Sequence, residues 1–267
     1  LYVSRSGTNV WEVLRSTGPA MATTATTTGI SSAGGVWVSS DFSGDGLDDL
    51  ARSGGASLPH LGVPGELLTG ATDGFGNAVS FTYLAMSNST VYTRGTSAAP
   101  PPAAFQGSWP LVRSVQLSPA GGTAYTLQYA YSEGRIDFQG RGFLGMKSRL
   151  VTDLRDNKTT TEVYRQDFPY IGALESAASR QPGSGLMIDS VSHTYDKHVL
   201  DSTSNNQRYL PYRPTSVTQR YEVGGVKNGT LISQTTESRT VNTLGNTTTA
   251  SAVIVDYDSG SPDYYAS

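Results

Sequence analysis

The sequence predicts an all-β protein in which short strands are followed by a long antiparallel meander. Charged residues make up only 15% of the 267 residues, and Ser, Thr, Gly, Asn and Tyr supply the polarity, which favours strands and turns over helices. Apolar and polar residues alternate with period two along much of the second half of the chain. Clusters rich in Gly, Pro and Asn separate these alternating segments, as turns separate antiparallel strands.

The first 65 residues carry a weak internal repeat of short strands. Arg5-Ser6-Gly7 recurs as Arg52-Ser53-Gly54, and the apolar segments Trp11–Leu14 and Val36–Val38 add further short strands. The spacing of the two copies matches the roughly 40–50 residues of one β-propeller blade. Leu1–Ser4 has the pattern of a strand interior, so we expect the natural chain to start upstream.

The segment Asp41–Leu50 has the pattern of a calcium-binding loop. It places four carboxylates and two glycines in ten residues, with oxygen donors at alternate positions. Calcium loops supply ligands at such positions and use a glycine in sixth place for the sharp turn, here Gly46. An EF-hand would need a glutamate where Arg52 stands and helices on both sides. The alternative interpretation is an acidic turn without metal. The predicted ligands are Asp41, Ser43, Asp45, the backbone carbonyl of Leu47, and Asp49.

The pattern Asp-x-Ser-Gly-Asp-Gly-x-x-Asp-Leu at residues 41–50 resembles the calcium loop of FG-GAP/VCBS-type propeller repeats. This resemblance implies that residues 1–65 are a propeller-repeat remnant and that a structural Ca²⁺ holds one blade's turn together. Ser43 stands where the family usually has Asn or Asp, which implies a weaker affinity.

Residues 66–110 are predicted to form hairpins and then a proline-rich crossing. The cluster Asp73–Asn77 is typical of a hairpin turn, Val79–Leu84 alternates as a half-buried strand, and Val91–Thr93 begins another strand. Prolines lack the N–H that a strand ladder needs, so residues 98–110 are predicted to cross the surface without joining a sheet.

Residues 111–267 are predicted to form an antiparallel sheet with one apolar and one polar face. Residues 173–190 are predicted to be a loop. The predicted strands are Leu111–Leu117, Tyr125–Tyr131, Phe143–Asp153, Thr159–Phe168, Tyr212–Val223, Gly229–Val241 and Thr247–Tyr257.

Three segments of this region resemble a second family. Tyr129–Ile136 is similar to the Tyr-Gly-Arg consensus of RHS/YD repeats. Gly140–Gly145 and Tyr164–Gly172, together with Leu67–Tyr83, resemble the middle region of the B component of insecticidal Tc toxins and of RHS polymorphic toxins. The resemblance runs from about residue 36 to residue 257. It implies a partial propeller followed by the start of a hollow β-shell of RHS type.

These resemblances imply a non-catalytic structural segment of a large secreted bacterial toxin, whose shell encapsulates and helps to deliver a C-terminal effector. The implied partners are neighbouring domains of the same polypeptide and other toxin-complex subunits. The alternative is a calcium-dependent adhesion module of the cell surface that binds glycan or protein.

Composition argues against several other functions. The net charge of −3 offers no basic field for nucleic acid, and the absence of cysteine excludes disulfides and thiolate chemistry. No apolar run is long enough to span a bilayer, and no signal peptide is recognised in the sequence.

No catalytic motif is found in the sequence, so we expect no enzymatic activity. His60, His193 and His198 are the only histidines, and we interpret them as structural. Glu133 with Asp137, and Asp153 with Asp156, are the weak candidates for a glycosidase pair. The plentiful tyrosines and arginines are interpreted mainly as cross-strand packing, with a carbohydrate- or protein-binding face as the alternative. These residues are Tyr129, Tyr131, Tyr164, Tyr170, Tyr195, Tyr209, Tyr212, Tyr221, Arg135, Arg141, Arg165 and Arg213.

Overall fold

The structure is a computed structural model, and its elements confirm the all-β prediction. It describes residues 2–4, 10–13, 26–31, 36–54, 56–60, 67–96, 102–203 and 207–258. Every regular element in these ranges is a β-strand. The described residues therefore include no helix long and apolar enough to cross a membrane. The chain divides into two units, residues 1–43 with 47–64, and residues 44–46 with 65–267.

Where the structure describes the smaller unit, its residues form two antiparallel sheets of three strands each. The first has the order β1-β2-β3 and the second the order β4-β5-β6. The predicted strands at Trp11 and Trp37 are present, whereas the first copy of the predicted repeat, Arg5-Ser6-Gly7, lies outside the described residues. The propeller assignment stays a prediction. The strands are β1 (Tyr2–Ser4), β2 (Val10–Val13), β3 (Thr26–Ser31), β4 (Trp37–Ser40), β5 (Asp49–Arg52) and β6 (Ala56–Leu58).

The described residues of the larger unit form fifteen strands, numbered β7 to β21. Their bounds are β7 (Gly70–Thr72), β8 (Ala78–Ala85), β9 (Tyr92–Thr93), β10 (Pro102–Ala104), β11 (Pro110–Ser118), β12 (Tyr125–Ser132), β13 (Arg135–Asp137), β14 (Gly142–Phe143), β15 (Ser148–Asp153), β16 (Lys158–Tyr164), β17 (Leu174–Arg180), β18 (Met187–Asp201), β19 (Arg208–Tyr221), β20 (Leu231–Val241) and β21 (Thr247–Asp256).

Twelve of these strands form one sheet, and the other three form a small sheet. The large sheet has the order β21-β20-β19-β18-β17-β16-β15-β12-β11-β8-β7, and β9 pairs in parallel with β12. Every other pairing in it is antiparallel, so consecutive strands are joined mostly by hairpins. The small sheet has the order β10-β13-β14. β7 pairs with β8, and β8 pairs with β11, so the hairpin of residues 67–85 belongs to the same sheet as the later meander.

Most predicted strands are present, but three predictions are wrong. Residues 173–190 were predicted as a loop, yet β17 pairs with β16 and β18 there. Its sequence, Leu-Glu-Ser-Ala-Ala-Ser-Arg, has weak strand propensity, and pairing on both sides overrides it. Pro102–Ala104 does not cross freely but pairs with β13. The strand predicted at Phe143–Asp153 is two strands, β14 and β15, which belong to different sheets.

The expected apolar face of the large sheet is also absent, because both faces mix polar and apolar residues. Residues directly opposite each other across a ladder share a face. One such row, from β12 to β21, is Tyr131, Arg149, Glu162, Ala177, Val191, Thr218, Thr235 and Ile254. The adjacent row on the opposite face is Ser132, Ser148, Val163, Ser176, Ser192, Val217, Thr236 and Val253.

From β15 to β21 the described residues therefore form a single layer without a core. Only Ser179 and Ser216, each 5% exposed, are buried along these strands. At the edge strand β21, residues 247–254 are all exposed. Cross-strand pairs contribute roughly 0.2–1 kcal/mol each, so pairing along the ladder has to stabilise this part of the sheet.

The hydrophobic core of the larger unit lies at the other end of the sheet. Met86, Val91 and Tyr92 are buried there, and Phe105 and Tyr131 are among the residues that pack against them. Burying a side chain of this size contributes about 1.5–3 kcal/mol. The sheet is thus anchored beside β8, β9 and β12 and becomes less buried toward β21.

The hydroxyl of Tyr92 connects the core to the small sheet. It donates to the carbonyl of Phe105 at 2.5 Å and accepts from the backbone N–H of Gly134 at 2.9 Å. A Cβ at Gly134 would lie 3.1 Å from both this hydroxyl and the sulfur of Met146, which is tighter than an ordinary contact, so the close packing here favours glycine.

Candidate functional site

The predicted calcium loop is a series of bends between β4 and β5. β4 and β5 pair antiparallel, with Ser40 opposite Asp49, so the loop closes a hairpin as the sequence predicts. Gly46 has φ of +92°, a left-handed conformation that suits glycine and fits its predicted place at the sharp turn. Gly44–Gly46 at the loop tip are counted with the larger unit, and the rest of the loop with the smaller one.

Asp49 is the buried carboxylate of this loop, with 1% of its surface exposed. One carboxylate oxygen accepts the backbone N–H of His60 at 2.7 Å, and the other accepts the N–H of Ser43 at 2.7 Å. The hydrogen bond from His60 is the main reason that the pKa of Asp49 lies below its usual value; the Ser43 bond acts in the same direction and burial opposes both. Through these two hydrogen bonds Asp49 connects the backbone of Ser43 to that of His60.

The other predicted ligands differ in exposure. Asp41, Asp45 and Leu47 are partly buried and Ser43 is exposed. Within the part of the chain that the structure describes, no three Asp, Glu or His side chains lie close enough together to hold a metal ion. Calcium binding at this loop stays a prediction.

Three of the segments that carry the second resemblance meet at one place, which we call the junction. It consists of Glu133–Lys147, which includes the small-sheet strands β13 and β14, and the loop 165–173 between β16 and β17. The side-chain amide of Gln166 donates to the carbonyl of Glu133 at 2.7 Å and to that of Gly145 at 2.8 Å. One side chain thus ties both ends of the β13–β14 hairpin to the loop.

Arg141 makes the second connection across the junction. Its guanidinium lies 3.2 Å from the carboxylate of Asp137, which is 8% exposed, and 4.4 Å from the ring centroid of Phe168. Phe168 in turn packs edge-on against Tyr209 of β19, with 5.5 Å between ring centroids. The Gly-Arg-Gly segment is therefore linked through an aromatic ring to a strand more than sixty residues away.

A cluster of three aromatic rings supports the small sheet. Phe105, Trp109 and Phe143 lie with their ring centroids 4.7–5.4 Å apart. Two of them come from the stretch that was predicted as a surface crossing. The aromatic pair Phe105 and Trp109 within a proline-rich segment was a signal of packing that the sequence interpretation did not use.

The junction borders an open pocket of about 410 Å³ that is lined by equal numbers of acidic and basic side chains. Most of these charges are committed to internal ion pairs: Arg141 with Asp137 at 3.2 Å, Lys147 with Glu175 at 2.6 Å and Arg165 with Asp167 at 2.6 Å. The hydrogen bond from Arg165 is the main reason that the pKa of Asp167 is lowered.

Glu133 and Asp137, one of the two weak glycosidase pairs, both line this pocket. The Asp137 carboxylate is held by Arg141 and by the backbone N–H of Gln139 at 2.6 Å, so it serves the turn after β13. Glu133 has a left-handed backbone, with φ of +54°. The geometry favours a structural role for both residues.

The structure brings none of the three histidines together. His60 donates its backbone N–H to Asp49 in the smaller unit. His193 packs edge-on toward Tyr195, whereas His198 stacks on Tyr212 and bonds to the carbonyl of Val241 at 2.6 Å. The imidazoles of His193 and His198 thus have different neighbours, which supports the structural interpretation.

Many of the tyrosines and arginines pack against each other, as the structural interpretation predicts. Arg149 lies over Tyr129, Arg165 over Tyr170, and Lys197 over Tyr209, at 6.0, 4.9 and 4.5 Å from the ring centroids. Arg149 also bonds to Glu162 at 2.5 Å. Burial alone would raise the pKa of Glu162, but the hydrogen bonds from Arg149 and Tyr164 outweigh it and lower that pKa.

The fold is similar to that of solved Tc toxin structures. A chain in the crystal structure of TcdB2-TccC3-Cdc42 is similar at 11% sequence identity with a TM-score of 0.59, and the match covers 87% of this chain and 15% of that chain. A chain in the crystal structure of TcdB2-TccC3-TEV is similar at 12% sequence identity with a TM-score of 0.62, and the match again covers 87% of this chain and 15% of that chain. A third similar chain belongs to a Tc holotoxin pore of Photorhabdus luminescens with a mutation in TccC3; its sequence identity is 12%, its TM-score is 0.64, and the match covers 88% of this chain and 15% of that chain. This chain thus spans about 15% of the length of the chains it matches. No protein-family model and no curated protein sequence matches it.

The hydrogen bonds of Asp49 predict a pH-dependent loop. Since its folded pKa is depressed, its stabilising effect is complete above the unfolded value of about 3.9 and is lost as the pH falls through the folded pKa. In NMR spectra recorded from pH 6 down to pH 2, we expect the amide protons of Ser43 and His60 to shift together below that unfolded value.

Asp49→Asn should abolish the shared shift, whereas Asp48→Asn, a neighbouring change of the same kind, should retain it. Shifts of these amides that persist in Asp49→Asn would contradict the assigned role.

Proposed function

We propose that this chain is a non-catalytic wall segment of a large secreted bacterial toxin of the RHS/Tc type. In this proposal it forms part of a β-shell that encapsulates a C-terminal effector and helps to deliver it. Its partners are the neighbouring domains of the same polypeptide and other subunits of a toxin complex.

The observation that carries the proposal is a single-layer sheet whose fold matches Tc toxin components over 87–88% of the chain. A sheet that folds as an independent domain normally buries one face against a second layer. Here both faces carry mixed polarity from β12 to β21, which suits a wall that has solvent on one side and an enclosed space on the other.

The edges of the sheet support the same proposal. β7 and β21 are the outermost strands, and Gly70–Thr72 and residues 247–254 are exposed. An edge strand presents unpaired N–H and C=O groups that invite further pairing. In a closed shell the adjoining strands of the polypeptide would pair with these edges, which protects the wall from aggregation.

Within such a wall, the junction would hold the small sheet and the loop 165–173 against the large sheet. Gln166 and Arg141 fix the small sheet and the loop 165–173 to the large sheet, and the Tyr92 hydroxyl fixes the small sheet to the core. Of the two weak glycosidase candidates in the junction, Asp137 is committed to an ion pair with Arg141, which favours a structural role.

The proposal is tested on the whole polypeptide that contains this chain. We expect cryo-electron microscopy to show a closed shell with this sheet as one layer of its wall. We also expect the C-terminal segment to resist an added protease inside the shell, while the same segment expressed alone is digested. A separate globular domain at this position, or equal digestion rates of the enclosed and free segments, would overturn the proposal.

We further propose that Ca²⁺, bound at the loop Asp41–Asp49, has a structural role. Calcium but not magnesium should then raise the melting temperature of the chain, and Asp45→Ala should remove the increase. Asp48→Ala is the matched control, because Asp48 is outside the predicted ligand set.

The adhesion alternative makes a different prediction for the same experiments. It requires binding to cells or glycans that is lost with a chelator and with Asp45→Ala. A melting temperature that does not respond to calcium would contradict the structural role, and cell or glycan binding that responds to calcium would favour the adhesion module.

A further inference from the structure

Two adjoining cavities on the large sheet form a feature that the wall proposal leaves unexplained. One, of about 500 Å³, lies between the loop 165–173 and strands β18 and β19; the other, of about 360 Å³, lies over β19, β20 and β21. Arg213 and Arg239 line both cavities, so we treat the two as one continuous feature and call it the arginine groove.

The arginine groove has aromatic and proline walls at one end and a floor of small residues at the other. Pro169, Tyr170, Tyr195, Pro211 and Tyr212 line the first cavity. Ser216, Ala250 and Ala252 line the second, with Glu237 beside them. The small side chains leave room along the sheet, which suits an extended ligand.

The two arginines are weakly neutralised within the chain. Arg213 has its nearest carboxylate, Glu237, at 3.9 Å, and Glu237 is 61% exposed. Arg239 donates its Nε–H to the carbonyl of Arg213 at 2.8 Å and forms no ion pair among the described residues. Three other arginines of this unit, Arg141, Arg149 and Arg165, lie within 3.2 Å of a carboxylate.

Two guanidinium groups that line one space repel each other, and an anion placed between them relieves that repulsion. His193 lies within range of the charges of Arg213 and Glu237. It is paired across the ladder with Ser216, and its buried Nδ1 atom has no hydrogen-bond partner. Burial is the main reason that the pKa of His193 is lowered; the charge of Arg213 lowers it further, and the charge of Glu237 opposes both.

The aromatic rings of the arginine groove offer few free faces. Tyr212 is stacked on His198 with 5.1 Å between centroids, Tyr170 and Tyr195 pack at 5.9 Å, and Arg165 covers Tyr170. A sugar ring needs an open aromatic face to stack on, whereas a peptide can use ring edges, proline rings and guanidinium groups. Arginine binds carboxylates through two parallel hydrogen bonds.

We propose that the arginine groove binds an extended acidic peptide, with its carboxylates paired to Arg213 and Arg239. The inference goes beyond the wall function, since it concerns a ligand on one face of the sheet. Peptide binding is measured on this chain alone, so its failure is distinguishable from a failure of the proposed shell.

The test uses a fluorescein-labelled twelve-residue peptide of alternating Glu and Ala, with fluorescence anisotropy as the readout. We expect saturable binding to the chain, no binding when Gln replaces Glu in the peptide, and at least tenfold weaker binding to Arg213→Gln/Arg239→Gln. The matched control is Arg208→Gln/Arg220→Gln, which removes two charges from the two ends of β19, outside the arginine groove, and should change the affinity less than twofold.

Arg239→Gln alone, an exposed position, provides the test if the double variant does not fold. Equal losses for the groove and control variants would overturn the proposal, because they would indicate non-specific charge attraction. Absence of peptide binding would overturn it as well. So would tight binding of a sulfated oligosaccharide in place of the peptide, which would assign the arginine groove to acidic glycans.

Discussion

Strand pairing is the interaction on which the larger unit depends, because from β15 to β21 its sheet is a single layer. In a two-layer domain, apolar burial holds each strand even where its ladder is imperfect. Here the cross-strand rows alternate between residues such as Arg149–Glu162 and Ser132–Ser148, and neither face is apolar. Each strand is therefore stabilised by its two neighbours, and a strand at an open edge is the least stable part of the sheet.

The small core gives this sheet a fixed end. Met86, Val91 and Tyr92 are buried beside β8 and β12, and the Tyr92 hydroxyl joins that core to the β10-β13-β14 sheet through Phe105 and Gly134. A buried hydroxyl with both partners in place contributes about 0.5–1.5 kcal/mol per bond, and it costs more when one partner is left unpaired. Together with Gln166 and Arg141, this hydroxyl determines how the small sheet lies on the large one.

Local sequence signals predicted the strands that alternate clearly and the turns that need special backbone angles. β8, β11 and β12 follow their period-two patterns, and Asp73–Asn77 closes the β7–β8 hairpin with the hydrogen bonds that its residues favour.

Pairing between strands that are distant in the chain could not be predicted from such local patterns. β17 has the composition of a loop and becomes a strand because β16 and β18 lie on either side. The aromatic cluster of Phe105, Trp109 and Phe143 joins residues almost forty positions apart, which no local pattern reports.

At the predicted calcium loop, the turn and Gly46 were predictable from the sequence. The hydrogen bonds from backbone amides to both carboxylate oxygens of Asp49 were not.

Native-state hydrogen exchange tests most directly whether pairing from a small anchored end stabilises the large sheet. The account predicts that the slowest amides lie near Met86–Tyr92 and in β12 and β15, and that protection falls strand by strand toward β21 on one side and β7 on the other. Protection in β20 and β21 as strong as that in β12 would contradict it, because such protection would require a second layer or a core that covers the far end of the sheet.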